Sequence, residues 1–391
     1  MDAQRGISRN TMSMMRRTIC ATLLLAALPM IALSGPAMAA NITAQAWGTT
    51  QKGEKVQLFT LKGEAGLEAR ITNFGGVVVN LLVPDGRRKK TDVVLGYDSF
   101  AEYEKGGVFS ALIGPYANRL GLTFPVDGKT YTQPRPLPRA GAQLTPTGPI
   151  QVLHSGAIGF QKRVWDAVMH DGPEPSLALT IKDADGTGGF PGNVLVTVTY
   201  TIRRDNTMVL DYRGTTDKPT VLSLTNHFYF NLKGEGSGAI DNEIVTLYAE
   251  QYSPNFITSE LRSSRGTVFD FSRPTRIGDR LAMPEAGSGF DTNMVVTGKP
   301  GTLRPAARIE DPESGIVLPV FTTQPGFQFY TDNTGITTTG KAGHQYGNHN
   351  AISIETEKYP DAPNHPEFPS AEVTPDKPMH EVTEFRFATS P

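Results

Sequence analysis

The 391-residue chain has one cysteine, Cys20, and it lies in an N-terminal stretch that reads as a leader. Without Cys20 no disulfide can form, and no thiol can act as nucleophile or metal ligand. Stability must then come from a packed core, which a chain of this length can supply. Long apolar runs are also lacking. The one from Ile19 to Leu33 is too short to span a bilayer and ends in Ser34-Gly35-Pro36. Arg5, Arg9, Arg16 and Arg17 precede or open it, and Ala37-Met38-Ala39 follows. That is the pattern of a secretory signal peptide over residues 1–39, with a mature chain beginning at Ala40. The expected location is therefore periplasmic or secreted, with no stable membrane insertion once the leader is removed. The Arg16-Arg17 pair leaves general and twin-arginine export both open.

An excess of positive charge is missing too. Past the leader there are 33 basic and 38 acidic side chains, a formal charge of −5. The one basic block, Arg87-Arg88-Lys89-Lys90, follows Pro84-Asp85-Gly86 and reads as a solvated turn, so nucleic acid is not an expected partner. No two histidines stand two or four residues apart, and there is no H-E-x-x-H. Asp183-Ala184-Asp185-Gly186 opens like a calcium loop but lacks the closing glutamate. There is no G-x-S-x-G for a nucleophilic serine. No metal site and no cofactor are expected.

What is abundant is turn-forming residues. Glycine (40) and proline (29) make up about a sixth of the chain and are spread through it. Between them run short alternating segments: 56–61, 67–73, 77–83, 92–97, 196–202, 208–212, 245–249 and 317–323. Amphipathic helices are scarce, and Ser99 to Glu104 offers at most one turn. The pattern predicts an all-β fold, a large antiparallel β-sandwich. No linker or repeat divides residues 40–391, which read as one domain, and Pro134 to Pro149 reads as a long surface loop.

Four stretches stand out chemically. In Leu222 to Leu232 the even positions are apolar except Asn226, and the odd ones are Ser223, Thr225, His227, Tyr229 and Asn231. The period is that of a strand, and the polar face, uncharged and centred on His227, suits the floor of a polar cavity. In Ala351 to Glu357, Ile352 and Ile354 share one face, while Ser353, Glu355 and Glu357 share the other. Gly114 to Leu120 carries Arg119, a rigid fork of donors suited to hydroxyl groups or to a structural ion pair. Gly287 to Asn293 presents Asp291 among glycines. His154 precedes a glycine loop, whereas His170, His344, His349, His365 and His380 read as loop or surface residues. Each stretch alone also has an ordinary reading as the wet face of a strand, a turn or an ion pair.

Taken in order, these segments resemble the aldose 1-epimerase family. The resemblance rests on Ala117-Asn118-Arg119, His154-Ser155-Gly156, Gly189-Phe190-Pro191-Gly192, Thr225-Asn226-His227 with Tyr229-Phe230-Asn231-Leu232, Gly289-Phe290-Asp291, Thr322-Thr323-Gln324-Pro325-Gly326, and Ile354-Glu355-Thr356-Glu357 followed by Pro360-Asp361 and Pro363-Asn364. It covers nearly the whole chain past the leader. It implies a galactose mutarotase-like supersandwich and an isomerase that interconverts the α and β anomers of a free monosaccharide, as a monomer or homodimer. It further implies Glu355 as base, His227 as acid and His154 near the ring oxygen. Asn118, Arg119 and Asp291 would hold hydroxyls, with Gln324 a further candidate. This sequence departs from the pattern at Pro115, at Ser155, and at Gln151-Val152-Leu153. Ring opening needs an acid and a base but no metal or redox group. From the ordinary values of about 4.3 for Glu and 6.5 for His, an activity plateau between the two is expected. A non-catalytic carbohydrate-binding sandwich and a glycoside hydrolase using Glu355 and Asp291 are the rival readings, the latter because hydrolysis needs two carboxylates. A sugar-phosphate epimerase would call for a basic pocket.

Overall fold

The computed structural model describes residues 41–87, 89–135, 150–254 and 258–390. The expected leader and most of the 134–149 loop lie outside them.

Alternation in the sequence becomes strands wherever one face has a core to meet. The segments 56–61, 67–73 and 77–83 form Lys55–Lys62, Glu68–Thr72 and Val78–Pro84. With Ile42–Thr49 and Lys90–Asp92 they make a five-stranded sheet in chain order. Hairpins then build the largest sheet, of ten strands. Its path runs from Asp166–His170 through Ser176–Asp183, Val194–Ile202 and Thr207–Thr216 to Met379–Arg386. It continues through Ile316–Thr322, Arg304–Glu310 and Ile244–Leu247. A third sheet, called here the site sheet, has the order Arg262–Ser263, Ala249–Tyr252, Asp291–Val296, Gly326–Tyr330, Ser353–Glu357. The pairings within these three sheets are all antiparallel.

The site sheet and the large sheet face each other. Met294, Val296, Phe327, Phe329 and Ile354 share one core with Ile309, Leu318, Val320 and Phe385. Burying each of these large side chains stabilises the fold by about 1.5–3 kcal/mol. Within this layer Thr356 Oγ1 lies 2.6 Å from Thr383 Oγ1, so even its hydroxyls are paired. This is the expected antiparallel sandwich, and it leaves the opposite face of the site sheet free for other use.

Three local expectations change. The segment 245–249 breaks at Tyr248, giving Ile244–Leu247 to the large sheet and Ala249–Tyr252 to the site sheet. The segment 92–97 is not a continuous strand. The Asp92 carboxylate takes the N–H groups of Leu81 (3.0 Å) and Val94 (3.4 Å), and only Val94 goes on to a bridge, with Phe230. Leu222 to Leu232 is likewise not one strand. It pairs as a ladder only at Thr225–Asn226, against Leu112–Ile113, with isolated bridges at Ser223 and Phe230. Both of its faces are buried, because loops satisfy the backbone. His227 N–H donates to Ala111 O (2.9 Å), and His227 O accepts from Ser110 N–H (2.8 Å). The single turn at 99–104 is present as the helix Phe100–Glu104, and a second short helix, Ile277–Leu281, was not anticipated. No helix among the described residues is long and apolar enough to cross a membrane.

Candidate active site

Strand register decides which side chains share the front of the site sheet. Asp291 lies opposite Tyr330, and Tyr330 opposite Ser353. The next row is Asn293, Gln328 and Glu355, and the one after it Val295, Gly326 and Glu357. Since successive side chains alternate, these rows point away from the core that holds Phe327, Phe329 and Ile354. One face of the sheet thus carries Asp291, Asn293, Gln328, Glu355 and Glu357.

The buried 222–232 segment brings His227 over this face. Its Nε2 is 3.5 Å from Glu355 Oε1, and both residues are at most 5% exposed. The ring stacks on Tyr229 at 4.9 Å, and Tyr330 meets both rings edge-on at 6.1 Å. Three residues of the 151–154 segment pair with Arg119–Gly121, and this short ladder delivers the other side of the site. At its end two left-handed residues, Asn118 (φ 56°) and His154 (φ 50°), clasp each other. His154 N–H donates to Asn118 O at 2.7 Å, and Asn118 N–H donates to His154 Nδ1 at 3.1 Å. The His154 ring then lies 5.4 Å from that of His227. Arg119 Nη1 donates to Asn118 Oδ1 (2.9 Å), and its Nη2 reaches Asp291 Oδ2 at 3.5 Å. Gln328 Nε2 donates to the other Asp291 oxygen. Asn118 Nδ2 donates to Glu357 Oε1 at 2.9 Å.

Burial dominates the electrostatics. It pushes the Glu355 carboxyl well above the ordinary carboxylate range, and the charges of Glu357 and Asp291 push it further, against a smaller pull from Arg119. Burial also raises Glu357, to about 8, although Asn118 and Arg119 favour its charged form. It lowers His227 to about 3. Carboxyl and imidazole are therefore displaced in opposite directions. Burial favours an uncharged pair, with one proton on Glu355 and none added to His227.

A model described as aldose 1-epimerase matches residues 57–386. The chain belongs to the aldose 1-epimerase family. It is 34% identical over 360 residues to human galactose mutarotase, covering 90% of this chain and all of that one. Against cattle galactose mutarotase the identity is 36% over 343 residues, with 86% and 95% covered. The aldose 1-epimerase of Escherichia coli K12 is 31% identical over 346 residues, with 86% and 96% covered. Among solved structures, an aldose epimerase homologue from C. elegans superposes with a TM-score of 0.74 at 28% identity, covering 85% of this chain and 98% of that one. A galactose 1-epimerase from Lactobacillus acidophilus shares the fold, with a TM-score of 0.76 at 21% identity over 90% and 100% of the two chains. As a family member this chain is an isomerase of aldose anomers. Nothing in these likenesses supports the carbohydrate-binding or glycoside-hydrolase readings.

Within this epimerase fold, donor atoms of His154, His227 and Glu355 fall within 4.8 Å of one another, a spacing that suits a cation. His154 does not fit that role. Its Nδ1 lone pair accepts the Asn118 N–H, so the ring proton sits on Nε2, which has no lone pair to offer. His154 is instead a neutral Nε2–H donor. Of the sequence candidates, the structure brings together His154, His227, Glu355, Asn118, Arg119 and Asp291. Gln324 stands apart from the hydrogen-bonded group. Its N–H donates to Thr322 Oγ1 (3.1 Å), its C=O accepts from Arg304 (3.0 Å), and its buried amide has no partner among the described residues. Gln328, four residues on, occupies the row beside Glu355 and was missed. The signal was present in Gly326-Phe327-Gln328-Phe329-Tyr330, where a lone amide alternates with aromatics just as Glu355 alternates with isoleucines.

Proposed function

We propose that Glu355 and His227 carry the two proton transfers of anomer interconversion, acting on a free hexose of the galactose or glucose type. Glu355 takes the proton of the C1 hydroxyl while His227 protonates the ring oxygen. The bond from C1 to the ring oxygen breaks and leaves the open-chain aldehyde. Rotation about the C1–C2 bond presents the other carbonyl face. The ring oxygen adds back as its proton returns to His227, and Glu355 returns a proton to O1. The observation that carries this reading is the 3.5 Å approach of His227 Nε2 to Glu355 Oε1, with both side chains buried.

The pair holds one proton in two arrangements. Carboxylic acid with neutral imidazole suits the desolvated pair. Carboxylate with imidazolium is the working form, and sugar hydroxyls favour it by donating to Glu355 and accepting from His227. His154 offers Nε2–H to an oxygen near the anomeric centre, while Asp291, Arg119, Asn118 and Gln328 hold the remaining hydroxyls. The N-terminal pattern supports export and work in the periplasm or outside the cell, on unphosphorylated sugar.

Polarimetry on fresh α-D-galactose and α-D-glucose tests the roles. Wild type is expected to speed the change in rotation, and Glu355→Gln and His227→Ala to lose about 10²–10⁴-fold of that excess rate. A Glu355→Gln variant with wild-type turnover would remove Glu355 from the mechanism.

A further inference from the structure

The front of the site sheet carries a second carboxyl group that ring opening does not call for. Glu357 is fully buried, two residues beyond Glu355 on the same face, and faces the bare backbone of Gly326 across the sheet. Its Oε1 accepts from Asn118 Nδ2 at 2.9 Å, and its Oε2 has no partner among the described residues. Asn118 is the pivot of the clasp with His154. Its backbone is left-handed, a conformation that asparagine tolerates better than most residues but that still needs support. Its side chain supplies that support from both ends, because Oδ1 is taken by Arg119 and Nδ2 by Glu357. With Oδ1 occupied by a donor, only an acceptor can meet Nδ2.

We infer that Glu357 is a positioning residue for the epimerase reaction. By holding the Asn118 side chain it holds the Asn118–His154 clasp and so keeps His154 as an Nε2–H donor aimed into the pocket. The chain of cause is short. Lose the acceptor at 357 and the Asn118 amide turns. The Asn118 N–H then leaves His154 Nδ1, and the imidazole proton is free to move to Nδ1. The inference rests on the reading of the site above, but its first readout does not depend on it.

The test is the tautomer of His154, read by nitrogen-15 NMR of histidine-labelled protein and assigned by the signals lost in His154→Gln. Wild type and Glu357→Gln, which keeps an acceptor oxygen, are expected to show an unprotonated Nδ1 and a protonated Nε2. Glu357→Leu fills the same space without an acceptor and is expected to give a mixture of tautomers. Asn118→Ala removes the amide and leaves the left-handed backbone without its support, and is expected to do the same, so the test survives if the Leu variant does not fold. In polarimetry Glu357→Leu should lose about tenfold in kcat with a smaller change in KM, while Glu357→Gln stays within about twofold of wild type. A wild-type tautomer in both Glu357→Leu and Asn118→Ala overturns the positioning role. A lost tautomer with undiminished turnover leaves the linkage standing and overturns the part given to His154 in the reaction.

Discussion

Among the places where this fold buries ionisable groups, two do it differently. Lys341 is 3% exposed, and its Nζ meets Asp92 Oδ2 and Val94 O, each at 2.8 Å. Asp92 also accepts from Asn80 Nδ2 (2.7 Å) and from the N–H of Leu81, so both of its oxygens are used. The front of the site sheet is the reverse. Glu355 Oε2, Glu357 Oε2, Gln328 Oε1 and both amide atoms of Asn293 are buried without a partner among the described residues. Buried polar groups normally find partners, because leaving one unmade costs about 1–3 kcal/mol. Where the fold could close the network it did so, at Lys341. At the site it left donors and acceptors open to a ligand made of hydroxyl groups.

The comparison breaks most sharply under one substitution in each place. Glu355→Gln should abolish most turnover and leave the melting temperature equal or higher, since it removes a carboxyl that burial disfavours. Lys341→Met should do the opposite. It strands Asp92 without its cation, at a cost of about 3 kcal/mol, the low end for a broken buried pair because 17% of the Asp92 side chain stays exposed. Turnover of the folded fraction should stay near wild type. Thermal melts and polarimetry on both variants decide the matter. A Lys341→Met variant that melts like wild type would mean its network is no more structural than the site.

The second test is pH. The ordinary values of the two groups would put the activity plateau between about 4.3 and 6.5. The structure instead moves His227 down to about 3 and Glu355 up, so the pair keeps a single proton over a wider span. Activity should follow that one-proton pair rather than either group alone, and stay flat through neutral pH. Limbs at 4.3 and 6.5 in a kcat/KM profile would contradict this. Stability gives a second sign to check. Above the ordinary 4.5, the raised carboxyls of Glu355 and Glu357 hold protons in the folded chain that the unfolded chain has released. Their contribution is therefore full below 4.5 and is lost as pH rises through the folded values, about 8 for Glu357. His227 acts the other way, but only below 6.5. Of these three groups, then, only the carboxyls act between 6.5 and 8. Across that window wild type should lose more melting temperature than Glu357→Gln, and an equal loss in both would show that Glu357 ionises freely in the fold.

How legible all this was in the sequence depends on what each residue faces. The site strand at 353–357 could be read because its two faces differ in polarity, and the core face tells which way Glu355 points. The 222–232 segment also showed its period, but a chain buried on both sides and bonded by loops looks locally like a strand while making almost no ladder. The break at Tyr248 was invisible, since a chain that changes sheets keeps its alternation. The tautomer of His154 was out of reach, because it depends on a backbone N–H brought from 36 residues away.

The two glutamines make the smallest and most pointed test. Gln324 drew attention through the motif around it, yet its side chain bonds to nothing in the site. Gln328 sits in the Glu355 row and donates to Asp291. That bond is charge-assisted and engages one carboxylate oxygen, while Arg119 reaches the other. Gln328→Ala should raise KM for galactose about tenfold with a smaller change in kcat, the loss expected for one hydrogen bond to a charged group. Gln324→Ala removes an amide with no partner among the described residues and should leave KM within about twofold. The reverse ranking would mean that the pocket extends past the Glu357 row toward Gln324, with its buried amide as the sugar-facing group and the Gln328–Asp291 bond as part of the wall.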